Sequence, residues 1–212
     1  SCYRSLHAIF MCELLDFDDS CSALLMEYCY EADEPDKETV VSFFDKVLHG
    51  AVNKYSDMEA SGFHNYSDIL HHKLNENSFD YEHEKIILYV NKAVKLYDDT
   101  FKEQDSVLIH GDLHSYNIMS KNNQLVAIDP IGYIAPIEID IERFIGTELT
   151  DGNGDISRKY KLLVEEFSSI ADTERLKNAC FIDMVFRLHN SLFENENYDL
   201  TDKWLNVLSQ IA

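Results

Sequence analysis

His110, Asp112, His114, Asn117 and Asp129 are the side chains whose types and spacing could do chemistry together. They fall in two short stretches, Val107-Leu-Ile-His-Gly-Asp-Leu-His-Ser-Tyr-Asn-Ile-Met119 and Ala127-Ile-Asp-Pro130. An aspartate, an amide five residues later and a second aspartate suit phosphoryl transfer from a nucleotide. In that chemistry one carboxylate orients the attacking hydroxyl. The other carboxylate and the amide oxygen hold Mg²⁺ on the phosphates. Position outweighs basicity here, because the attacking oxygen must lie in line with the phosphorus.

The flanking sequence predicts how these groups are placed. Val107-Leu-Ile109 is an apolar run that ends in the polar loop carrying His110, Asp112 and His114. Ile118-Met119, the polar turn Lys121-Asn-Asn-Gln124 and Leu125-Val-Ala-Ile128 read as a β-hairpin, which sets Asn117 and Asp129 side by side. Gly132-Tyr-Ile-Ala-Pro136 is expected to be a turn-rich connection, and Glu138-Ile-Asp-Ile-Glu-Arg-Phe144 opens a helix. Upstream, Cys12–Phe17 and Ser22–Tyr28 predict two strands joined at Asp18-Asp-Ser20. Apolar periodicity predicts helices over 37–58 (with Asp36 as N-cap), 66–74, 81–101, 157–170, 173–194 and 200–211. Gly62–Asn65 and Asp151–Asp155 read as loops. The Gly-x-Gly in the second lacks the following Gly-Lys-Ser/Thr of a phosphate cradle.

His110-Gly-Asp-Leu-His114, Asn117 and Ile128-Asp-Pro130 together resemble the core of the aminoglycoside phosphotransferase and choline-kinase superfamily. These are small-molecule kinases with the protein-kinase fold. Protein kinases share the Asp-to-Asn spacing in their catalytic loop. Ile128-Asp-Pro-Ile-Gly-Tyr133 followed by Glu138-Ile-Asp140 is most similar to the streptomycin-phosphotransferase branch. The resemblance implies an α+β, protein-kinase-like fold made mainly of the helical C-terminal lobe with its catalytic hairpin. It implies Asp112 as the residue that orients the acceptor hydroxyl, with His110 ordering the loop and His114 near the phosphates or supporting the loop. Asn117 and Asp129 are the implied Mg²⁺ ligands, and Asp140 the aspartate that holds the loop through backbone hydrogen bonds. ATP (or GTP) and Mg²⁺ are the implied cofactors.

By the same resemblance, residues 1–28 hold the last strands of an N-terminal lobe, 29–35 a hinge, and 36–212 the C-terminal lobe. The adenine edge would meet the carbonyl of Glu27 and the N–H of Cys29, with Met26 packed behind the base. The first lysine is Lys37 and the first glycine Gly50, both past the hinge. The phosphate-gripping lysine and loop are therefore expected upstream of Ser1. The short segment after Pro130 favours a small-molecule acceptor over a protein, and Pro130 stiffens the backbone after Asp129.

Composition narrows the class. The 212 residues carry 18 basic and 39 acidic side chains, a net charge of −21, and 45% apolar residues. Such a charge repels nucleic acid and anionic membrane and favours a cationic small substrate. A solubility role for the same charge is an equal reading. Acidic residues of the C-terminal helices, such as Glu142, Asp155, Asp183 and Glu194, are candidates to face such an acceptor. Cysteines at 2, 12, 21, 29 and 180 show no metal spacing and read as reduced thiols of a cytoplasmic protein. No signal peptide or transmembrane run is visible. His64, His71 and His72 read as a solvated face, and Asn65-Tyr-Ser67 as a glycosylation sequon without a secretory context. Two functions remain: a small-molecule O-phosphotransferase, or a kinase-like binding module. Choline, homoserine, methylthioribose and ketosamines are alternative acceptors in the superfamily.

Overall fold

Helix-forming stripes and three small sheets divide the chain as hydrophobic burial requires. The computed structural model describes residues 11–18, 20–21, 23–32, 35–55, 62–75, 84–101, 106–151, 154–193 and 198–211. The start of the 1–28 segment, residues 33–34 of the expected hinge, 56–58 and 81–83 of two expected helices, residues 152–153 of the expected loop, and Glu194 lie outside them.

The N-terminal strands β1 (Leu14–Asp18) and β2 (Ala23–Met26) pair antiparallel, with an irregularity between Leu14 and Asp16. Strand β3 (Tyr30–Glu31) leaves this hairpin and pairs with β6 (Ile118–Lys121), which itself pairs with β7 (Gln124–Ala127). Asn122 and Asn123 both have positive φ, at 49° and 61°, so β6 and β7 close through a two-residue turn of the mirror-image kind that matches strand twist. The other sheet joins β4 (His64–Asn65), β8 (Tyr133–Ala135) and β5 (Val107–Ile109), with β8 in the middle. Two expectations are corrected here. Residues 64–65 and 133–135 are strands, not loop and turn. Runs of two and three residues are too short to show a periodicity, and only their pairing makes them strands.

The first helix, α1 (Lys37–Tyr55), starts where the Asp36 carboxylate accepts the Thr39 N–H at 2.8 Å. It buries Val40, Phe43, Phe44 and Leu48 at helical spacing. After α2 (Tyr66–Asn75) and α3 (Glu84–Thr100) come α4 (Glu138–Asp151), α5 (Ile156–Phe167), α6 (Thr173–Phe193) and α7 (Tyr198–Ile211). Asp155 caps α5 by accepting from Arg158 N, and Asp172 receives the N–H groups of Glu174 and Arg175 ahead of α6. Helix α6 is buried on nearly every side, from Leu176 to Leu188, because α3, α4 and α7 all pack against it. Gly146 lets α4 approach α7: a Cβ there would meet Glu142 Oε1 at 2.7 Å and the Trp204 ring at 3.6 Å.

Phe44 is fully buried at the junction of α1, α4 and α5, with edge-on contacts to Phe43, Phe144 and Phe167. Phe44→Ala is expected to cost about 3–5 kcal/mol in urea unfolding, because the cavity it leaves is walled by three rings that cannot all collapse.

Candidate active site

Asp140, in the first turn of α4, organises the loop between β5 and the β6–β7 hairpin. One carboxylate oxygen accepts the His110 N–H and the other the Gly111 N–H, each at 2.8 Å, all within the core. Burial pushes its carboxyl up to about 7, against the two N–H bonds and Arg143, which draw it down. Gly111 has φ +85°, and a Cβ there would lie 2.8 Å from the Tyr133 ring, so both conformation and space demand glycine. The Gly132 N–H closes the other side on the His110 carbonyl at 2.9 Å.

His110 is a buried brace. Its Nε2 meets the Ile128 carbonyl at 2.8 Å, and its Nδ1 faces the Asp112 N–H at 3.3 Å. A carbonyl needs a donor and an N–H needs an acceptor, so these partners assign the neutral tautomer with the proton on Nε2. Burial outweighs the nearby carboxylates and lowers its pKa from 6.5 to about 4. Through Ile128 this ring ties the loop to the residue before Asp129.

Asp112 stands at the rim, half-exposed. Its Oδ2 lies 3.5 Å from His114 Nε2 and its Oδ1 3.9 Å from Arg143 Nη1. Partial burial works to raise its pKa. The His114 hydrogen bond and the Arg143 and Arg187 charges outweigh it and hold the carboxyl below its usual range. His114 packs edge-on against Tyr116, whose hydroxyl donates to exposed Asp151 at 2.7 Å. The His114 Nδ1 is buried without a hydrogen-bond partner.

The hairpin brings Asn117 and Asp129 together. The Ile128 N–H donates to the Asn117 carbonyl at 3.0 Å, extending the β6–β7 ladder to the residue before Asp129. The Asn117 amide nitrogen is committed to the Asp112 carbonyl at 2.9 Å, which leaves its amide oxygen as the atom with lone pairs for a cation. Asp129 sits at φ +58°, in the left-handed region, although it precedes Pro130. Residues before proline are pushed towards extended backbone, so this is stored strain next to a chemically interesting carboxylate. A carboxylate and an amide oxygen are hard oxygen donors of the kind that Mg²⁺ takes, so the donor set fits that ion.

Met26, Glu27 and Cys29 precede β3, which joins this hairpin by pairing with β6. The Glu27 carbonyl accepts from the Cys12 thiol at 3.2 Å, its carboxylate accepts the Glu13 N–H and pairs with Lys121, and Met26 packs partly buried against the core. A cavity of about 560 Å³ lies beside these groups rather than at them, between α1, α4 and α5. Ser115 and Ile118, which flank Asn117, line its edge.

Below Asp112 lies a buried ionic set. Asp183 of α6 accepts from Tyr66 Oη at 2.6 Å, Arg143 Nη2 at 3.2 Å and Arg187 Nε at 2.9 Å. Burial opposes its ionisation, but the two guanidinium groups hold it well below the usual carboxylate range. Glu142, 3.9 Å from Arg187, is fully buried; burial and the Asp183 charge raise its carboxyl well above that range. Asp183 and Glu142 thus lie in the interior rather than on an acceptor surface, and exposed Asp155 caps a helix. Neither arginine was singled out from the sequence. The available signal was Asp183 four residues before Arg187 within the otherwise apolar Phe181–Leu188, where charge is expensive unless paired.

No protein-family model matches this sequence, and no curated protein matches it. Solved structures do. A thermostable mutant of aminoglycoside phosphotransferase APH(4)-Ia, in apo form, superposes with a TM-score of 0.69 at 13% identity, over 99% of this chain and 80% of the other. Another form of that mutant, in a ternary complex with AMP-PNP and hygromycin B, gives 0.69 at 14%, over 99% and 81%. Choline kinase LicA from Streptococcus pneumoniae gives 0.60 at 14%, over 99% and 76%. The chain has the fold of the small-molecule kinases. Within this kinase-like fold, Asp112, Asn117 and Asp129 occupy one loop and one hairpin. Among the described residues, no helix is long and apolar enough to cross a membrane.

Two outcomes test this geometry. Because folding keeps His110 neutral, its contribution is complete above pH 6.5 and is lost as pH falls towards 4. The stability difference between the wild type and His110→Gln is therefore expected to grow by about 3 kcal/mol from pH 4 to 6.5 and then level off, read by urea unfolding across pH. Asp183→Ala strands two buried guanidinium groups and is expected to cost about 3–5 kcal/mol at pH 7.

Proposed function

We propose that this chain is the catalytic part of an ATP- and Mg²⁺-dependent O-phosphotransferase that phosphorylates a hydroxyl of a small molecule in the cytoplasm. The observation that carries the reading is the convergence of Asp112, Asn117 and Asp129 on one loop and hairpin, anchored by the buried Asp140 carboxylate. Asp112 orients the acceptor hydroxyl and takes its proton late. His114 and Arg143 keep that carboxylate ionised and in place. Asn117 and Asp129 would hold Mg²⁺, which neutralises charge on the phosphates when bound. Residues 26–29 present the backbone that meets the adenine edge of ATP (or GTP), Met26 lying behind it. The division into 1–28, 29–35 and 36–212 follows from that assignment.

The acceptor class we favour is a basic aminoglycoside, with a streptomycin-type molecule first. The net charge of −21 supports it, as does the exposed Asp151 carboxylate that holds Tyr116 next to His114. Choline, a cation handled by one class of fold relatives, is the next acceptor to test.

The assay is Mg²⁺-ATP consumption with streptomycin, hygromycin B and choline offered singly. Acceptor-dependent turnover is expected with at least one of them, and Asp112→Asn is expected to lower kcat by about 10²–10⁴-fold with little change in the KM for ATP. Turnover indifferent to that substitution removes Asp112 from its role. Nucleotide and acceptor binding without any turnover would make the chain a binding module.

A further inference from the structure

Two cysteines meet beside the β6–β7 hairpin. Cys12 is clamped to the end of β7: its N–H donates to the Ala127 carbonyl at 2.9 Å, and Met11 bridges the same residue. Cys29 lies between β2 and β3, in the connection that pairs onto β6. The two Sγ atoms are 2.9 Å apart, and Cys12 Sγ also donates to the Glu27 carbonyl at 3.2 Å. With its single proton used there, Cys12 accepts from the Cys29 thiol. Cys12 is buried and Cys29 is partly exposed.

We propose that Cys12 and Cys29 are a redox-modification site, closing to a reversible disulfide that staples the connection after β2 to the end of the catalytic hairpin. The oxidant it takes is a low-molecular-weight disulfide. The Cys29 thiolate attacks one sulfur of that molecule, forming a mixed disulfide and releasing one thiol. The Cys12 sulfur then attacks Cys29 Sγ: the Cys12–Cys29 bond forms, the mixed bond breaks, and the second thiol leaves with the Cys12 proton. Two protein thiols are oxidised and one small disulfide is reduced to two thiols. Exposure sets the order of attack. Burial pushes the Cys12 thiol up to about 12, so it stays protonated until its partner is capped. The sulfurs need only approach from 2.9 Å to the bonding distance of about 2.0 Å.

A soft cation is the competing occupant, since the Glu27 carboxylate lies near both sulfurs. That third ligand is already engaged, one oxygen by the Glu13 N–H and the other by Lys121. A dithiol without a third donor favours covalent closure over metal capture.

The test uses the full chain, equilibrated with mixtures of oxidised and reduced glutathione, alkylated and mapped by peptide mass. The expected result is a joined pair of peptides carrying residues 12 and 29, lighter by two hydrogens. The pair is reversed by dithiothreitol and absent from Cys29→Ser, a substitution at a partly exposed position that leaves the buried neighbour in place. The oxidised chain should also melt several degrees higher than the reduced one, because the bond restricts the unfolded chain; Cys29→Ser should show no such difference. Glutathione that persists on Cys29 with Cys12 free, Cys29 joined to Cys2, Cys21 or Cys180, or protection of both thiols by zinc alone would each overturn the proposal. None of these readouts depends on phosphotransfer, so an inactive chain that still forms the bond leaves this site standing.

Discussion

A single buried carboxylate holds the loop on which everything else depends. Asp140 receives two backbone N–H groups, those of His110 and Gly111, which have no other place to go inside the core. An unmet buried N–H costs about 1–3 kcal/mol, so the carboxylate is effectively part of the loop's backbone. Its position in the first turn of α4 matters as well, since the unpaired amides at a helix start favour an anion there. One contact therefore registers the helical core against the loop that carries Asp112.

From that anchor the order spreads in two directions. The neutral His110 ring carries it across to Ile128, which fixes the residue before Asp129 and aligns the hairpin. The buried set of Arg143, Asp183, Arg187 and Glu142 carries it down into α6. Arg143 brings the positive charge of that set to within 3.9 Å of Asp112. The half-exposed carboxylate at the rim is thereby kept ionised by charges that water cannot screen well. Buried ion pairs are poor sources of stability. Here their value is directional, since they set the charge state of a group at the surface.

The strained backbone at Asp129 belongs to the same economy. A left-handed residue before proline persists only where its surroundings over-determine it, and here the β6–β7 ladder and the His110 brace on Ile128 do so. The thiol pair at Cys12 and Cys29 is tied to the same strands, Cys12 through Ala127 two residues before Asp129. The two sulfurs and Asp129 thus share one short hairpin as their common frame.

The sequence alone determined the local features. The helices α1, α3, α6 and α7 are legible because their apolar stripes are long, and the hairpin because Lys121-Asn-Asn-Gln124 is strong turn chemistry between apolar runs. The cluster of Asp112, Asn117 and Asp129 is legible because its members are close along the chain and bounded by strands. Tertiary structure decided the rest. Strands β4 and β8 exist only through pairing with partners tens of residues away. Asp183 and Glu142, acidic in a very acidic chain, read as surface candidates, yet long-range packing places them in the interior against two arginines. The contact of Arg143 with Asp112 and that of Cys12 with Cys29 join residues 31 and 17 positions apart. Periodicity reports which face of an element is buried. It carries no information about which distant polar group waits there, because that pairing is set by how the elements pack rather than by the pattern within any one of them.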